Sequence, residues 1–138
     1  MSWVTFSDPQ VATFGLSPAT LRERNVRFDE VSMDFHDDDR AVVDDYENGK
    51  LKLYLSKGNL LRSPKILGGS MIAPDAGELI QELILANTTG LSVDAIFNKI
   101  YPYPVAARVN QLLIVKEKEK QLTAFLKKVL RGLYKLFN

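Results

Sequence analysis

The sequence has 138 residues, of which 46% are hydrophobic and 25% charged, and its formal net charge is +1. This length and composition fit one folded domain that buries roughly two-thirds of its unfolded surface. The lack of cysteine excludes disulfide bonds, thiolate metal sites, cysteine nucleophiles and a dithiol redox centre within this chain.

The first half of the chain is rich in predicted strands. Apolar residues cluster or alternate in four runs, which predict strands at 3–6, 11–14, 26–35 and 50–56. Ser17 precedes Pro18, an N-cap followed by proline at the first helical position, and predicts a helix that ends near Asn25. An acidic loop separates the last two strands, and Asn48-Gly49 predicts a hairpin turn there.

A fifth strand and a long helix are predicted next. The strand covers 66–72 and contains Gly68 and Gly69, which indicate a bulge or the close approach of a neighbouring strand. Asp75 is the predicted N-cap of a helix that ends at Gly90. The apolar residues that anchor this helix to the core recur with helical spacing: Leu79, Ile80, Leu83 and Ile84.

Two further helices complete the predicted domain. Ser92 caps a short helix through Ile100, Pro102 and Pro104 interrupt the chain, and another helix begins near Val105. Strands that come first and helices that come last, with short connections, predict an α+β domain. We expect an antiparallel sheet of four to five strands with helices on one side, followed by an extra C-terminal amphipathic helix.

The last segment, residues 116–138, is called the tail here and predicts a basic amphipathic helix. It contains seven basic residues and two acidic ones. Its apolar stripe follows helical spacing and consists of Leu122, Phe125, Leu126, Val129, Leu130, Leu133 and Phe137. The bases Lys127, Lys128, Arg131 and Lys135 lie largely away from that stripe.

Three interpretations of the tail remain open. Its stripe could pack on the domain or on a second subunit, or the tail could bind an anionic membrane surface or nucleic acid. Aromatic residues are not interleaved with the bases, so we predict no nucleic-acid partner.

The only histidine could mark a metal site. His36 precedes Asp37, Asp38 and Asp39, and these groups together could bind a hard divalent cation. The ligand spacing of a metal-binding loop is missing, however, and consecutive side chains rarely converge on one ion. We therefore predict a solvated acidic loop and no metal site.

Glu78 and Glu82 lie four residues apart and form the second cluster of ionisable groups. Paired carboxylates on one helix face can perform acid–base chemistry. The same helix also carries Asp75 and Gln81, so we favour a polar strip that faces a partner.

The chain contains no apolar run near the ~18 residues that span a bilayer, and its first residues are no signal peptide. We expect a cytoplasmic protein, for which the tail offers a route to peripheral membrane attachment.

The run ILGGSMIAPDAGELIQE at 66–82 resembles the C-terminal dimerisation domain of the pyridine nucleotide-disulfide oxidoreductases. That family includes dihydrolipoamide dehydrogenase, glutathione reductase and mercuric reductase. Similar short matches are FSDPQVA at 6–12, GLS at 15–17, DRA at 39–41 and GLS at 90–92. The resemblance predicts an interface domain over residues 1–115 and leaves the tail, 116–138, as a separate segment.

The resemblance implies a homodimerisation domain that is not catalytic in isolation. FAD and NAD(P) domains are expected upstream in a longer parent chain, and no cofactor is expected to bind this chain alone. The resemblance further implies a dimer interface that includes Asp75, Glu78, Leu79 and Glu82. The alternative function is a membrane-surface attachment module that acts through the tail.

The resemblance also indicates a catalytic position, at which this sequence departs from the family. The family presents a His-Pro segment and a following Glu to the partner subunit's flavin and disulfide. Here Tyr103 stands at the histidine, Pro104 follows it, and Arg108 stands at the glutamate. Mercuric reductases resemble this chain in carrying a tyrosine there.

Tyrosine and arginine cannot perform the same acid–base chemistry. A phenol with a pKa near 10 cannot replace an imidazole at pH 7, and a guanidinium only donates hydrogen bonds. We therefore predict Tyr103 and Pro104 at the border of the partner's FAD, without the family's histidine–glutamate chemistry.

Overall fold

Five antiparallel strands form one sheet in the computed structural model, which describes residues 1–45, 48–59 and 61–137. The strands are β1 (Ser2–Thr5), β2 (Gln10–Gly15), β3 (Phe28–Asp34), β4 (Lys50–Ser56) and β5 (Ile66–Ala73). They lie in the order β1-β2-β5-β4-β3, and each neighbouring pair is antiparallel. The predicted α+β class and its five strands are therefore confirmed.

All described helices except the first pack as a layer against one face of the sheet and enclose the core. The helices are α1 (Pro18–Glu23), α2 (Asp39–Val43), α3 (Ala76–Leu79), α4 (Gln81–Thr89), α5 (Val93–Phe97) and α6 (Arg108–Phe137). Phe14, Leu53 and Met71 of the sheet share one buried cluster with Leu83 of α4 and Leu113 of α6. Burial of these apolar side chains is the main stabilising contribution of the layer.

Helix α1 begins as predicted and lies towards the opposite face of the sheet. The Ser17 hydroxyl accepts a 3.1 Å hydrogen bond from the backbone N–H of Thr20, which satisfies a free donor of the first turn. The guanidinium of Arg22 lies 5.8 Å from the centre of the Phe28 ring. Phe28 packs edge-to-face against Tyr54, and both alternate with the core-facing residues of their strands.

The acidic segment between β3 and β4 contains two short helical stretches, so the predicted solvated loop is wrong. A single 3₁₀ turn at Phe35–Asp37 leads into α2. Phe35 and Ala41 are fully buried, and their burial draws the segment onto the core. Asp38 is also buried, and its carboxylate accepts a hydrogen bond from the Ala41 N–H at 3.1 Å. Glu47, one of the acids in this stretch, lies outside the described residues.

The helix predicted from Asp75 to Gly90 is instead the pair α3 and α4. Ile80 separates them. The Gln81 side chain donates a 2.7 Å hydrogen bond to the Gly77 carbonyl, so this acceptor is satisfied at the break. Asp75 is the N-cap by position, but its side chain makes no capping hydrogen bond. Gly90 ends α4 in the left-handed conformation, with φ of 68°, as predicted.

Helices α5 and α6 begin and end differently from the prediction. Helix α5 ends at Phe97 rather than Ile100, and α6 begins at Arg108 rather than Val105. The side chain of Ser92 makes no capping hydrogen bond at the start of α5. Helix α6 continues without a break into the tail, so the predicted boundary at residue 115 lies within a helix.

Gly68 and Gly69 allow two neighbouring strands to approach β5 closely, as predicted. A Cβ at Gly68 would lie 2.5 Å from the Leu16 carbonyl oxygen, and one at Gly69 would lie 2.6 Å from that of Lys52. Both positions therefore exclude any side chain.

The apolar stripe of the tail is exposed along its described part, which comprises Leu122, Phe125, Leu126, Val129 and Leu130. Their exposed fractions run from 39% to 63%, so the stripe does not pack on the domain there. The side chains of Leu133, Lys135 and Phe137 lie outside the described residues. Among the described helices, none has a stretch apolar and long enough to cross a bilayer.

Candidate functional site

The Tyr-Pro turn, residues 101–107, connects α5 to α6 and carries the predicted catalytic position. Its Tyr103 side chain is 68% exposed, and the following peptide bond to Pro104 is cis. The Tyr103 hydroxyl donates a 3.2 Å hydrogen bond to Oδ2 of Asp39, at the start of α2. The Arg108 guanidinium lies 5.7 Å from the centre of the Tyr103 ring, within the range of a cation–π contact.

The structure thus brings together Tyr103 and Arg108, which the sequence predicted, and adds Asp39. The hydrogen bond to Asp39 is the main reason that the pKa of Tyr103 is raised, and the charge of Arg108 opposes this effect. The phenol is therefore protonated at neutral pH, and in this arrangement it acts as a hydrogen-bond donor.

The charge of Arg108 also acts on the buried carboxyl group of Asp38, the N-cap of α2. Burial raises the pKa of Asp38, and the neighbouring charge of Asp39 adds to that increase. The backbone hydrogen bond from Ala41 and the charge of Arg108 lower it. Arg108, which the sequence predicted at the position of the family's glutamate, is therefore a cation whose charge favours the ionised form of Asp38.

An open cleft of about 320 Å³ lies beside the Tyr-Pro turn. Pro104 and Val105 line one side, and Asp75 and Leu79 of the predicted dimer interface line another. Arg40 of α2, which is ion-paired with Asp44, contributes a charge to the same cleft. The predicted catalytic turn and part of the predicted interface are therefore adjacent surfaces.

Glu82 joins three elements behind this cleft. Its Oε1 accepts hydrogen bonds from the Tyr101 hydroxyl at 2.6 Å and from the Asn110 side-chain amide at 2.8 Å. Lys99 forms an ion pair with its other carboxylate oxygen. Glu82 is mostly buried, whereas Glu78 is exposed. The two glutamates therefore do not form one polar strip.

Tyr101 and Asn110 are the polar residues that sequence analysis did not assign to this cluster. Burial is the largest cause of the raised pKa of Tyr101, and the hydrogen bond to Glu82 adds to it. Asn110 is fully buried and also donates a 2.8 Å hydrogen bond to the Leu79 carbonyl. Its available signal was an amide directly after the apolar residue Val109, one turn before the apolar residue Ile114 of α6.

The acidic segment near His36 does not form a metal centre in the part of the chain that the structure describes. Within those residues, no three histidine, aspartate or glutamate side chains converge as ligands. His36 itself is exposed, at the 3₁₀ turn before α2. The Asp37 side chain lies outside the described residues.

Comparison with known proteins places these features in a family context. The family described as "pyridine nucleotide-disulphide oxidoreductase, dimerisation domain" matches residues 1–112. Mercuric reductase from Shigella flexneri is 33% identical over 103 residues, which cover 75% of this chain and 18% of that protein. Dihydrolipoyl dehydrogenase from Buchnera aphidicola is 32% identical over 101 residues, or 73% of this chain and 20% of that protein. The chain thus spans about a fifth of the length of these relatives.

Solved structures share the fold. The HOCl-induced flavoprotein disulfide reductase RclA from Escherichia coli aligns with a TM-score of 0.72 and 20% identity, over 82% of this chain and 25% of that chain. LpdA from Mycobacterium tuberculosis aligns with a TM-score of 0.73 and 18% identity, over 84% of this chain and 24% of that chain.

Proposed function

The chain belongs to the dimerisation-domain family of the pyridine nucleotide-disulphide oxidoreductases, and from this membership we propose that it pairs with a second copy of itself. The paired domains would form part of an FAD-dependent, NAD(P)H-linked oxidoreductase whose flavin and nicotinamide domains lie elsewhere in the parent protein. The observation that carries this proposal is the adjacency of an exposed, anchored Tyr-Pro turn and the surface of Asp75 and Leu79.

We propose that Tyr103 and Pro104 border the partner subunit's flavin. Their fit to that role rests on the exposed phenol, which Asp39 and Arg108 hold in one orientation. FAD, when bound, supplies electron and hydride transfer. Tyr103 would donate a hydrogen bond at that border, since its raised pKa prevents it from acting as a base near pH 7.

In the proposed interface, Asp75, Glu78 and Leu79 face the partner while Glu82 supports them from behind. Asp75 and Glu78 are exposed and Leu79 is half-buried. The hydrogen bonds that Glu82 accepts from Tyr101 and Asn110 connect α4 with the Tyr-Pro turn and α6. A dimer built on this surface would therefore couple the position of the turn to the contact between subunits.

Light scattering of the 138-residue chain over a range of concentrations tests the pairing. We expect twice the monomer mass of 15.5 kDa, and we expect Glu78→Arg to weaken the dimer by about tenfold or more, because a charge is reversed within the contact. Glu23→Arg makes the same change at an exposed residue of α1 and should leave the dimer intact. A monomer at every concentration would contradict the proposal.

We propose attachment to an anionic membrane surface as a second function, carried by the exposed stripe of the tail. No acidic residue occurs from 120 to 138. Lys127, Lys128 and Arg131 form no ion pair with the described residues. An apolar stripe opposite uncompensated cations is the composition of helices that lie in the plane of a bilayer surface. This function would hold the protein at the cytoplasmic side of a membrane.

Sedimentation with phosphatidylserine-containing vesicles tests the tail. The double substitution Phe125→Gln and Leu126→Gln removes apolar contact without removing charge, and it should abolish most of the binding. Thr123→Gln with Ala124→Gln is the matched control on other faces of the same helix. Equal binding of both double variants would contradict the proposed role of the stripe.

A further inference from the structure

We propose that the cationic loop, residues 57–59 and 61–65, is a second contact with the anionic membrane surface, beside the tail. This inference rests on the proposed attachment through the tail and adds a site that orients the folded domain. Its evidence is the geometry of the loop, its charge, and its connection to α6.

The loop holds a leucine away from the protein. Asn59 and Arg62 exchange backbone hydrogen bonds of 3.0 and 3.3 Å, which close a tight turn. Within this turn, the Asn59 side chain accepts a 2.9 Å hydrogen bond from the Leu61 N–H. Leu61 is 91% exposed. Because hydrogen bonds already order the backbone of the turn, its exposed apolar side chain can enter a headgroup layer at little backbone ordering cost.

Basic residues flank this leucine in the sequence. Lys57, Arg62 and Lys65 lie in the loop, and the sequence from 57 to 65 contains no acidic residue. Lys57 is paired with Asp29, whereas Arg62 and Lys65 form no ion pair within the described part of the chain. An apolar tip with unpaired cations is complementary in charge to an anionic lipid surface.

The cationic loop is connected to the start of the tail through α5. The Val93 N–H donates a 2.8 Å hydrogen bond to the Pro64 carbonyl. Lys118 of α6 donates a 2.6 Å hydrogen bond to Asp94. Loop and helix also line one cleft of about 270 Å³, to which Gln121 of the tail contributes.

These contacts hold the cationic loop and the start of the tail next to each other in the folded chain. When two contacts are linked at a fixed spacing, the second forms at a high effective concentration and strengthens the overall binding. The loop would therefore raise the affinity that the tail provides and set the orientation of the domain on the bilayer.

A fluorescent label at residue 61 tests the contact directly. The chain has no native cysteine, so Leu61→Cys can be labelled uniquely with an environment-sensitive fluorophore. Ser32→Cys, at an exposed position of β3, is the matched control. With phosphatidylserine vesicles we expect a blue shift at position 61 and none at 32. With phosphatidylcholine vesicles we expect no shift at either position.

Charge removal gives an independent measurement. Arg62→Gln with Lys65→Gln should weaken vesicle binding by about 25-fold, because each of the two surface cations contributes about fivefold. Lys50→Gln with Lys52→Gln removes the same charge from β4 and should have a smaller effect. The control cations are paired with Asp34 and Glu30.

The outcomes separate this inference from the function on which it rests. Vesicle binding that depends on Phe125 and Leu126, with an unshifted label at 61, would overturn the loop contact and leave the tail function intact. No binding of the wild-type chain would overturn both. A shift of equal size with phosphatidylcholine would also overturn the inference, since the contact would then not depend on anionic lipid.

Discussion

The hydroxyl of Tyr103 donates its hydrogen bond to a carboxylate, and this partner determines what the residue can do. Asp39 stabilises the protonated phenol and raises its pKa above the ordinary value of 10.0. Any stability that this contact confers is present at neutral pH and is lost only as pH rises through the raised pKa. A histidine at this position would instead titrate near neutrality.

We predict that Asp39→Asn lowers the pKa of Tyr103 towards 10.0, because the substitution removes the negative charge beside the phenol. NMR titration of tyrosine labelled at Cζ would measure the change, and Tyr103→Phe would assign the resonance. The pKa of Tyr101 should not follow, since burial and Glu82 raise it.

Asp44→Asn is the matched control for this titration. Asp44 lies on the same short segment as Asp39 and pairs with Arg40 rather than with Tyr103. An unchanged pKa of Tyr103 in Asp39→Asn would show that the 3.2 Å hydrogen bond does not govern the phenol. It would also remove the physical basis for treating Asp39 as a positioning residue of the site.

Only some of the side chains in this site could be predicted from the sequence. Tyr103, Pro104 and Arg108 could be identified because they occupy positions of a family motif. Asp39 could not, since it lies 64 residues from Tyr103 in sequence and its role exists only in the folded chain. Asn110 is separated from Glu82 by 28 residues, and its burial depends on how α6 packs on α4.

Strands were more predictable than short helices because their signals are local. Alternation over 50–56 and the paired glycines of β5 were sufficient to identify two central strands. Helix α2 and the break at Ile80 depend on tertiary packing instead. Burial of Phe35 and Ala41 orders the acidic segment, and the Gln81 side chain satisfies a carbonyl that a continuous helix would have paired.

We predict that Gly68→Ala lowers the free energy of unfolding by about 2–3 kcal/mol. The added methyl group would lie 2.5 Å from the Leu16 carbonyl oxygen and 2.7 Å from its nitrogen. Backbone atoms at these distances cannot move without disturbing the hydrogen bonds between β2 and β5. Chemical denaturation followed by circular dichroism would measure the loss.

Gly77→Ala provides the control for this substitution. Its nearest obstacle is a methyl group of the Val4 side chain at 2.9 Å, and alanine is favoured over glycine inside α3. We therefore expect a smaller loss than at Gly68. Equal losses at the two positions would indicate that the close strand approach does not limit residue 68.

Across the whole molecule, one helix serves two purposes along its length. The first part of α6 contributes Val109, Leu113 and Ile114 to the core. Beyond Lys118, which contacts Asp94 and lies 4.7 Å from the centre of the Phe97 ring, the described side chains are exposed. We therefore propose that the interface domain and the tail are separable although no break in the helix divides them.

Truncation at two points along α6 tests this separation. Removal of residues 122–138 should change the free energy of unfolding by less than about 1 kcal/mol. The described side chains of this segment are exposed, so their removal takes no contact from the core. Removal of 116–138 also deletes Lys118 and its ion pair with Asp94. We expect this truncation to lower the free energy of unfolding by up to about 1 kcal/mol more, which is the contribution of an exposed ion pair.

Truncation after Gln111 should have the opposite result. It deletes Leu113 and Ile114, which are 1% and 2% exposed, and each such loss costs about 2–5 kcal/mol. Two losses of that size approach the whole stability of a typical domain, so we expect no cooperative unfolding transition in thermal denaturation. If removal of 122–138 alone lowered stability by more than about 2 kcal/mol, the tail would have to pack on the domain or on a second copy. Its exposed stripe would then be an interface between chains rather than a surface for lipid.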